Sequence, residues 1–323
     1  MTRAIVERKR RSIRCIVSCL LALLLTAGTV ARAQTCTFSI PNPDFGNVDV
    51  LAAGPVDLTT QATISCTGAS TPYIHACVSL GSRGMTGPGG VKLNYDMYID
   101  AARTRPWGSL WDSTANNVLT AEIPMSGGAG STSVPVYVRI FDGQTDLPVG
   151  AYSQGFLGAG YTGFNVVGYT SAPTACTTGS GPQTPPSFTT RATVIAGCSV
   201  SASNIDFGQM GVIGQAVNAT GVLTLTCTKS ATVTIALDAG VSVGAKVASR
   251  AMTRMGGTEL LQYQLYRDAA RTQRWGDGSQ GTSTLSLTGA GAAQTATVYG
   301  SVPAQNMPPP GTYNDTITVT VTF

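Results

Sequence analysis

Thr316-Ile317-Thr318-Val319-Thr320-Val321-Thr322-Phe323 alternates threonine with a large apolar residue at every step. Period-two alternation in β-branched and aromatic residues is the pattern of a half-buried strand, here with Ile317, Val319, Val321 and Phe323 on one face. The run Pro308-Pro309-Pro310-Gly311 marks the turn that leads into it. A domain that ends on its best strand is expected to pair it on both sides, or to hold an edge ready for a strand from outside.

The rest of the mature chain, residues 34–315, has the same texture. Short alternating segments rich in Thr, Val, Ser and Ala are separated by Gly and Pro, and no amphipathic helix pattern stands out. That texture predicts an all-β sandwich or barrel. The N-terminus differs. Arg3, Arg8, Lys9, Arg10, Arg11 and Arg14 precede an apolar stretch of 13 residues, Cys15 to Ala27, and a small-x-small signal at Ala31-Arg32-Ala33. Residues 1–33 therefore read as an export signal cleaved before Gln34, since the apolar stretch is short for a membrane span. They hold seven of the 20 Lys+Arg and one of the 16 Asp+Glu, leaving 13 against 15 and a net charge of −2 for the mature chain. A basic footprint for nucleic acid is thereby lost, and no nucleic-acid partner is expected.

The mature chain is one unit written twice. Cys36 is followed by Asp44-Phe45-Gly46, and Cys198 by Asp206-Phe207-Gly208, at an offset of 162. Cys66 in TISCTG answers Cys227 in TLTCTK. NYDMYIDAARTRPWG (94–108) answers QYQLYRDAARTQRWG (262–276), Tyr137 answers Tyr299, and LPVGAYSQ around Tyr152 answers PPPGTYND around Tyr313. Landmarks in one order at nearly constant offset mean two copies of a domain, with a period far too long for a solenoid. Phe45, Phe207, Trp107 and Trp275 read as core or turn-packing aromatics, and Asp100 and Asp268 as residues that fix a turn.

Cys15 and Cys19 leave with the signal, and the remaining six cysteines form an even set in an exported chain. Repetition pairs Cys36 with Cys66 and Cys198 with Cys227. The four cysteines of the first copy allow three connectivities, of which joining Cys77 to Cys176 is the economical completion. The copies also differ. After the shared tryptophan the first has GSLWDSTANNVL, with Leu110, Trp111, Val118 and Leu119, where the second has the polar GDGSQGTST. The first continues past its Gly-x-Tyr landmark through Phe156, Leu157, Tyr161, Phe164 and Tyr169. A Gly/Pro/Thr-rich stretch follows, and then the alternating SFTTRATVIAG (187–197) that runs into Cys198.

A cysteine followed closely by Asp-Phe-Gly, then a second cysteine, the Asp-Ala-Ala-Arg-Thr…Trp-Gly block, Pro-x-Gly-x-Tyr and a terminal apolar strand resembles the spore coat protein U domain. That is the family of the subunits of archaic (Csu-type) chaperone–usher pili. The first copy departs from the pattern where Ser153-Gln154 replace Asn314-Asp315. The resemblance implies two immunoglobulin-like β-sandwich domains in tandem, 34–196 and 197–323, each built without its last strand. A periplasmic chaperone supplies that strand first, and an adjacent pilin subunit replaces it by β-augmentation at an outer-membrane usher. Ile317, Val319, Val321 and Phe323 are the expected acceptor residues. Only Gln34 and Thr35 precede Cys36, too few for a donor strand. Donor-like sequence instead lies at about 187–196, with Phe188, Thr190, Ala192, Val194 and Ala196 on one face, and is expected to complete the first domain in cis. Two-domain members of the family are tip adhesins, so the implied location is the pilus tip at the cell surface.

No catalytic or metal site and no cofactor are expected. His75, the single histidine, stands beside Cys77 without the second ligand or free thiol such sites need. The Gly-rich runs GMTGPGG and GGAGS lack a following helix signal, and Asn218-Ala219-Thr220 reads as a turn. A carbohydrate-active enzyme on the same kind of fold would need a pair of placed carboxylates, and none is apparent. The function expected is surface adhesion and biofilm formation, against an abiotic or host surface; a non-adhesive pilus adaptor or surface coat protein is the alternative. Apolar residues confined to the first copy are the candidates for binding: Leu110, Trp111, Val118, Leu119, Phe156, Tyr161 and Phe164, converging at one end of the sandwich.

Overall fold

The computed structural model describes residues 34–111, 117–173, 175–178 and 180–323. The targeting segment expected at 1–33 lies outside them. The chain is all-β, with curled sheets packed as in immunoglobulin-like sandwiches around two hydrophobic cores. Among the described residues, twelve strands build the first core. They are β1 (Thr35–Ser39), β2 (Asp44–Val48), β3 (Val56–Thr67), β4 (Tyr73–Leu80), β5 (Met85–Thr86) and β6 (Lys92–Leu93), then β7 (Tyr95–Tyr98), β8 (Leu119–Pro124), β9 (Ala129–Ile140), β10 (Gly150–Phe156), β11 (Thr162–Tyr169) and β12 (Phe188–Val194). Their sheets run β1-β3-β9-β7, β2-β12-β10-β5-β6 and β11-β4-β8. The second core uses β13 (Cys198–Ala202), β14 (Val217–Cys227), β15 (Thr232–Leu237), β16 (Arg250–Arg254), β17 (Leu260–Tyr266), β18 (Leu285–Thr288), β19 (Ala293–Val302), β20 (Tyr313–Asn314) and β21 (Val319–Thr322). These form sheets β13-β14-β19-β17-β16-β20 and β18-β15-β21.

Alternation explains which side chains meet. On β3, Ala62, Ile64 and Cys66 point inward while the threonines and serines between them face out, and Val136, Val138 and Ile140 of β9 do the same. Burying each such aliphatic side chain contributes about 1.5–3 kcal/mol. Cys36 and Cys66 are direct cross-strand partners in the β1–β3 ladder, as are Cys198 and Cys227 in β13–β14, and each pair is disulfide-bonded. The third bridge joins Cys77 on β4 to Cys176 in the segment leading to β12.

The repeated block has a physical explanation. The Asp100 carboxylate accepts the N–H groups of Thr104 (3.1 Å) and Arg105 (2.7 Å) and the Thr104 hydroxyl (2.8 Å); Asp268 accepts the equivalent three from Thr272 and Gln273. That closes a tight loop whose arginine, Arg103 or Arg271, sits at φ 56°, and the guanidinium lies over Tyr137 or Tyr299. Trp107 and Trp275, both fully buried, donate their indole N–H to the carbonyls of Val78 and Ile235. One block thus ties a loop, a cation–π contact and the core tryptophan together in each copy.

Strand register corrects the alignment of the copies. Val78 is flanked by Leu119 on β8 and Phe164 on β11; Ile235 is flanked by Leu285 on β18 and Val321 on β21. Since Trp107 and Trp275 mark Val78 and Ile235 as equivalent, β11 is the counterpart of the terminal strand β21. Between Phe156 and β11 the first copy therefore gains four residues, 157–161 standing where the second copy has Thr318 alone.

Candidate functional site

The two cores differ at one strand position. In the first, β12 lies between β2, which it pairs in parallel, and β10, which it pairs antiparallel from Gly150↔Val194 to Phe156↔Phe188. Phe188, Thr190, Ala192 and Val194 point inward and are buried. The Phe188 ring stacks on Phe156 (4.7 Å between centroids) and lies nearly parallel to Trp107 (6.5 Å).

In the second core, the segments equivalent to β2 and β10 run through 206–210 and 311–317, and no described strand lies between them. A cleft of about 610 Å³ opens there, walled by Ile205 and Phe207 on one side and by Tyr313, Asp315 and Ile317 on the other, with Tyr263 in its floor. The near wall rests on glycines: a Cβ on Gly300 would come within 2.8 Å of Phe207, and one on Gly221 within 2.6 Å of Ile205. Ile317 and Val319 line the cleft, and Val321 pairs with Ile235 and packs on the core. Phe323 lies past the end of β21, whose ladder with β15 stops at Thr234↔Thr322, and is 56% exposed.

A polar pair sits within the cleft. The Tyr263 hydroxyl donates to Asp315 Oδ2 (2.7 Å), while Asp315 Oδ1 accepts the N–H of Val241 (2.8 Å). Burial, then the bond to Asp315, pushes the Tyr263 phenol well above its ordinary range, so it remains a donor. The first copy has Tyr95 and Gln154 in these places, the phenol donating to Gln154 Oε1 at 2.9 Å. Nearby, Arg83 pairs with Asp96 (2.6 Å), whereas its second-copy analogue, the fully buried Arg250, faces Gln264 Oε1 at 2.5 Å. Asp315 stands two residues beyond the Pro-x-Gly-x-Tyr pattern, but its partner Tyr263 is 52 residues away and invisible without the fold.

The seven residues nominated for surface binding separate into three groups. Leu119, Phe156 and Phe164 are 3%, 0% and 2% exposed. This corrects their nomination: each stands at a strand position that faces the core, and Leu285, Ile317 and Val321 fill the equivalent places in the second copy. Leu110 and Val118 are half-buried. Trp111 and Tyr161 are 53% and 46% exposed, and Leu157, in the same insert as Tyr161, is 67% exposed.

The exposed members come together at one end. Leu110 N–H donates to Ser79 Oγ (3.0 Å), Leu80 N–H to the Gly108 carbonyl (3.0 Å), and Gly81 N–H to the Tyr161 carbonyl (2.8 Å). The Trp111 ring lies on Gly163. Tyr161 stands immediately before β11, and Gly163, the second residue of that strand, is buried beneath the indole.

His75 is no metal centre. It lies near Cys77 and Cys176, whose sulfurs are joined to each other, and its Nδ1 is 2.5 Å from Glu122 Oε1. The Tyr169 hydroxyl also donates to Glu122, and the Tyr73 and Tyr169 rings stack at 5.3 Å. The cluster reads as a surface hydrogen-bond network across β8, β4 and β11.

This chain is similar to several known proteins. Protein U of Myxococcus xanthus is 38% identical over 115 residues, which is 34% of this chain; the match spans 63% of that protein's length. The structure resembles that of the CsuC–CsuE chaperone–tip adhesion subunit pre-assembly complex from the archaic chaperone–usher Csu pili of Acinetobacter baumannii. The TM-score is 0.51 and the identity 19%, covering 89% of this chain and 100% of that one. The CupB6 tip adhesin of Pseudomonas aeruginosa aligns over 90% of this chain and 94% of its own, at 12% identity and a TM-score of 0.37. The family model described as Spore Coat Protein U domain matches residues 22–156 and again 185–320, and the chain, in both its copies, belongs to that family.

Proposed function

We propose that this chain is a two-domain pilus subunit, 34–196 and 197–323, that caps a chaperone–usher fibre and attaches it to surfaces, as a non-catalytic protein. The single observation that carries this reading is the strand position filled by β12 in the first core and open in the second. A cleft of mixed polar and apolar lining beside an unpaired strand edge invites β-augmentation. β12 closes the first domain in cis, and a periplasmic chaperone followed by an adjacent pilin subunit closes the second at the outer-membrane usher. The resemblance in fold to a tip subunit bound to its chaperone supports that partnership. The exposed end carrying Trp111, Leu157 and Tyr161 is the adhesive surface, since contiguous exposed apolar groups mark interaction sites. The match to Protein U favours a second reading, a surface coat component without adhesive function.

Appending a copy of Ser187–Ala196 after Phe323 through a flexible linker tests the open slot. The expected product is a soluble monomer, more resistant to unfolding than the unmodified chain. An unmodified chain that is already an equally stable monomer, unchanged by the added strand, would overturn the reading.

A further inference from the structure

We propose that the second core's cleft selects its incoming strand by a hydroxyl: the residue seated opposite Asp315 is threonine or serine, donating into the Tyr263–Asp315 pair. This rests on the open-slot reading above and adds the chemistry of the partner.

The filled slot supplies the template. Thr190 is the β12 residue opposite Gln154 in the β10–β12 register, and its hydroxyl is fully buried. Its Oγ1 makes no well-directed hydrogen bond, and burial holds the neighbouring Tyr95 phenol well above its ordinary range. The Gln154 side chain is already used by its own chain. Oε1 accepts from Gly84 N–H (2.7 Å) as well as Tyr95, and Nε2 donates to the Ser82 carbonyl (2.8 Å). In the first core the hydroxyl is therefore tolerated.

The second core makes it a requirement. Gln154 is replaced by Asp315, which has acceptors only. Oδ1 takes the N–H groups of Val241 and Thr316, and Oδ2 takes the Tyr263 hydroxyl. A carboxylate oxygen accepts more than one hydrogen bond, and a phenol oxygen that donates can still accept. While the cleft is open, water can serve both groups. Once a strand closes it, an apolar residue at this place would bury those lone pairs without a donor, which is unfavourable. A lysine is disfavoured by size: its long stem would have to fit the space that Thr190 fills in the first core, beside the fully buried Arg250. A donor on a short side chain is what remains. The other stations follow the same register, an aromatic or large aliphatic residue opposite Ile317 and a small one opposite Tyr313, as Phe188 and Ala192 sit opposite Phe156 and Tyr152.

The experiment uses the full mature chain and synthetic peptides with the sequence 187–196, carrying Thr, Val or Lys at the position of Thr190. Hydrogen exchange localises binding, which is expected to protect 313–319, and titration gives the affinity. The threonine peptide is expected to bind roughly tenfold more tightly than the isosteric valine peptide, with that gap shrinking on a Tyr263→Phe chain and the lysine peptide weakest. A valine or lysine peptide that binds as well as threonine overturns the hydroxyl selection while leaving the open slot standing. If no peptide protects 313–319, the slot reading itself fails, and this inference with it.

Discussion

The indole of Trp111 rests on the backbone of Gly163: a methyl group built on that glycine would stand 2.7 Å from the ring. A loop residue and a strand residue 52 positions apart in sequence thus define the exposed apolar end of the first core. Any side chain at 163 must push the indole away. Gly163→Val is expected to displace Trp111 and reduce attachment to plastic while the chain stays folded. Adhesion assays with tryptophan fluorescence check this, and an unshifted emission spectrum would show that the ring keeps its place.

The nominated residues separate by stability as well as by burial. Replacing Trp111, Leu157 and Tyr161 together by serine is expected to change folding stability by no more than about 0.5 kcal/mol per site and to abolish attachment. Leu119→Ala is expected to lose about 2–5 kcal/mol, and Phe156→Ala or Phe164→Ala about 3–5 kcal/mol. Urea unfolding measures both sets. Similar losses for the two would mean that the exposed trio is structural.

β12 supplies a third prediction. Phe188 fills the space between Phe156 and Trp107, so Phe188→Ala is expected to lower the stability of the first core by about 3–5 kcal/mol. Val194→Asp places an unpaired charge among buried groups and is expected to be worse. If proteolysis and hydrogen exchange show 188–194 as mobile as a free linker in the wild type, the cis assignment fails.

The Asp268 loop has a pH signature. Hydrogen bonds from Gln273 N–H, then the Thr272 hydroxyl and N–H, outweigh the desolvation that opposes them and hold its carboxyl below the usual range. A carboxyl whose folded value is depressed contributes stability above its unfolded pKa of about 3.9, and that contribution disappears as pH falls through the lower folded value. Asp268→Asn is expected to be less stable than wild type at neutral pH, with the gap narrowing below about pH 4 as the unfolded reference titrates. Thermal unfolding from pH 2 to 7 follows it, and a gap that is constant with pH would assign the loss to geometry alone.

Removing the Cys77–Cys176 bridge, which spans 99 positions, is expected to lower stability by roughly 4–5 kcal/mol in the chain-entropy account. The loss belongs to the first core, so the second unfolding transition is expected to stay in place.

The sequence by itself determined the all-β class, the doubling of the unit, the terminal strand and the inward face of β12, because these rest on local periodicity and on landmarks recurring in order. Residues two apart on a strand share a face whatever the rest of the chain does. The tertiary structure decided which apolar residues of the first copy are buried. By sequence, Phe156 and Phe164 were additions without counterparts. Register showed β11 to be the equivalent of β21, displaced by a short insert, and of the residues proposed for binding only those in that insert and in the loop after Trp107 are exposed. It also decided the Tyr263–Asp315 pair, which joins positions 52 apart. The reason is physical: exposure and cross-strand pairing depend on which strand lies alongside, and spacing along one strand does not contain that information.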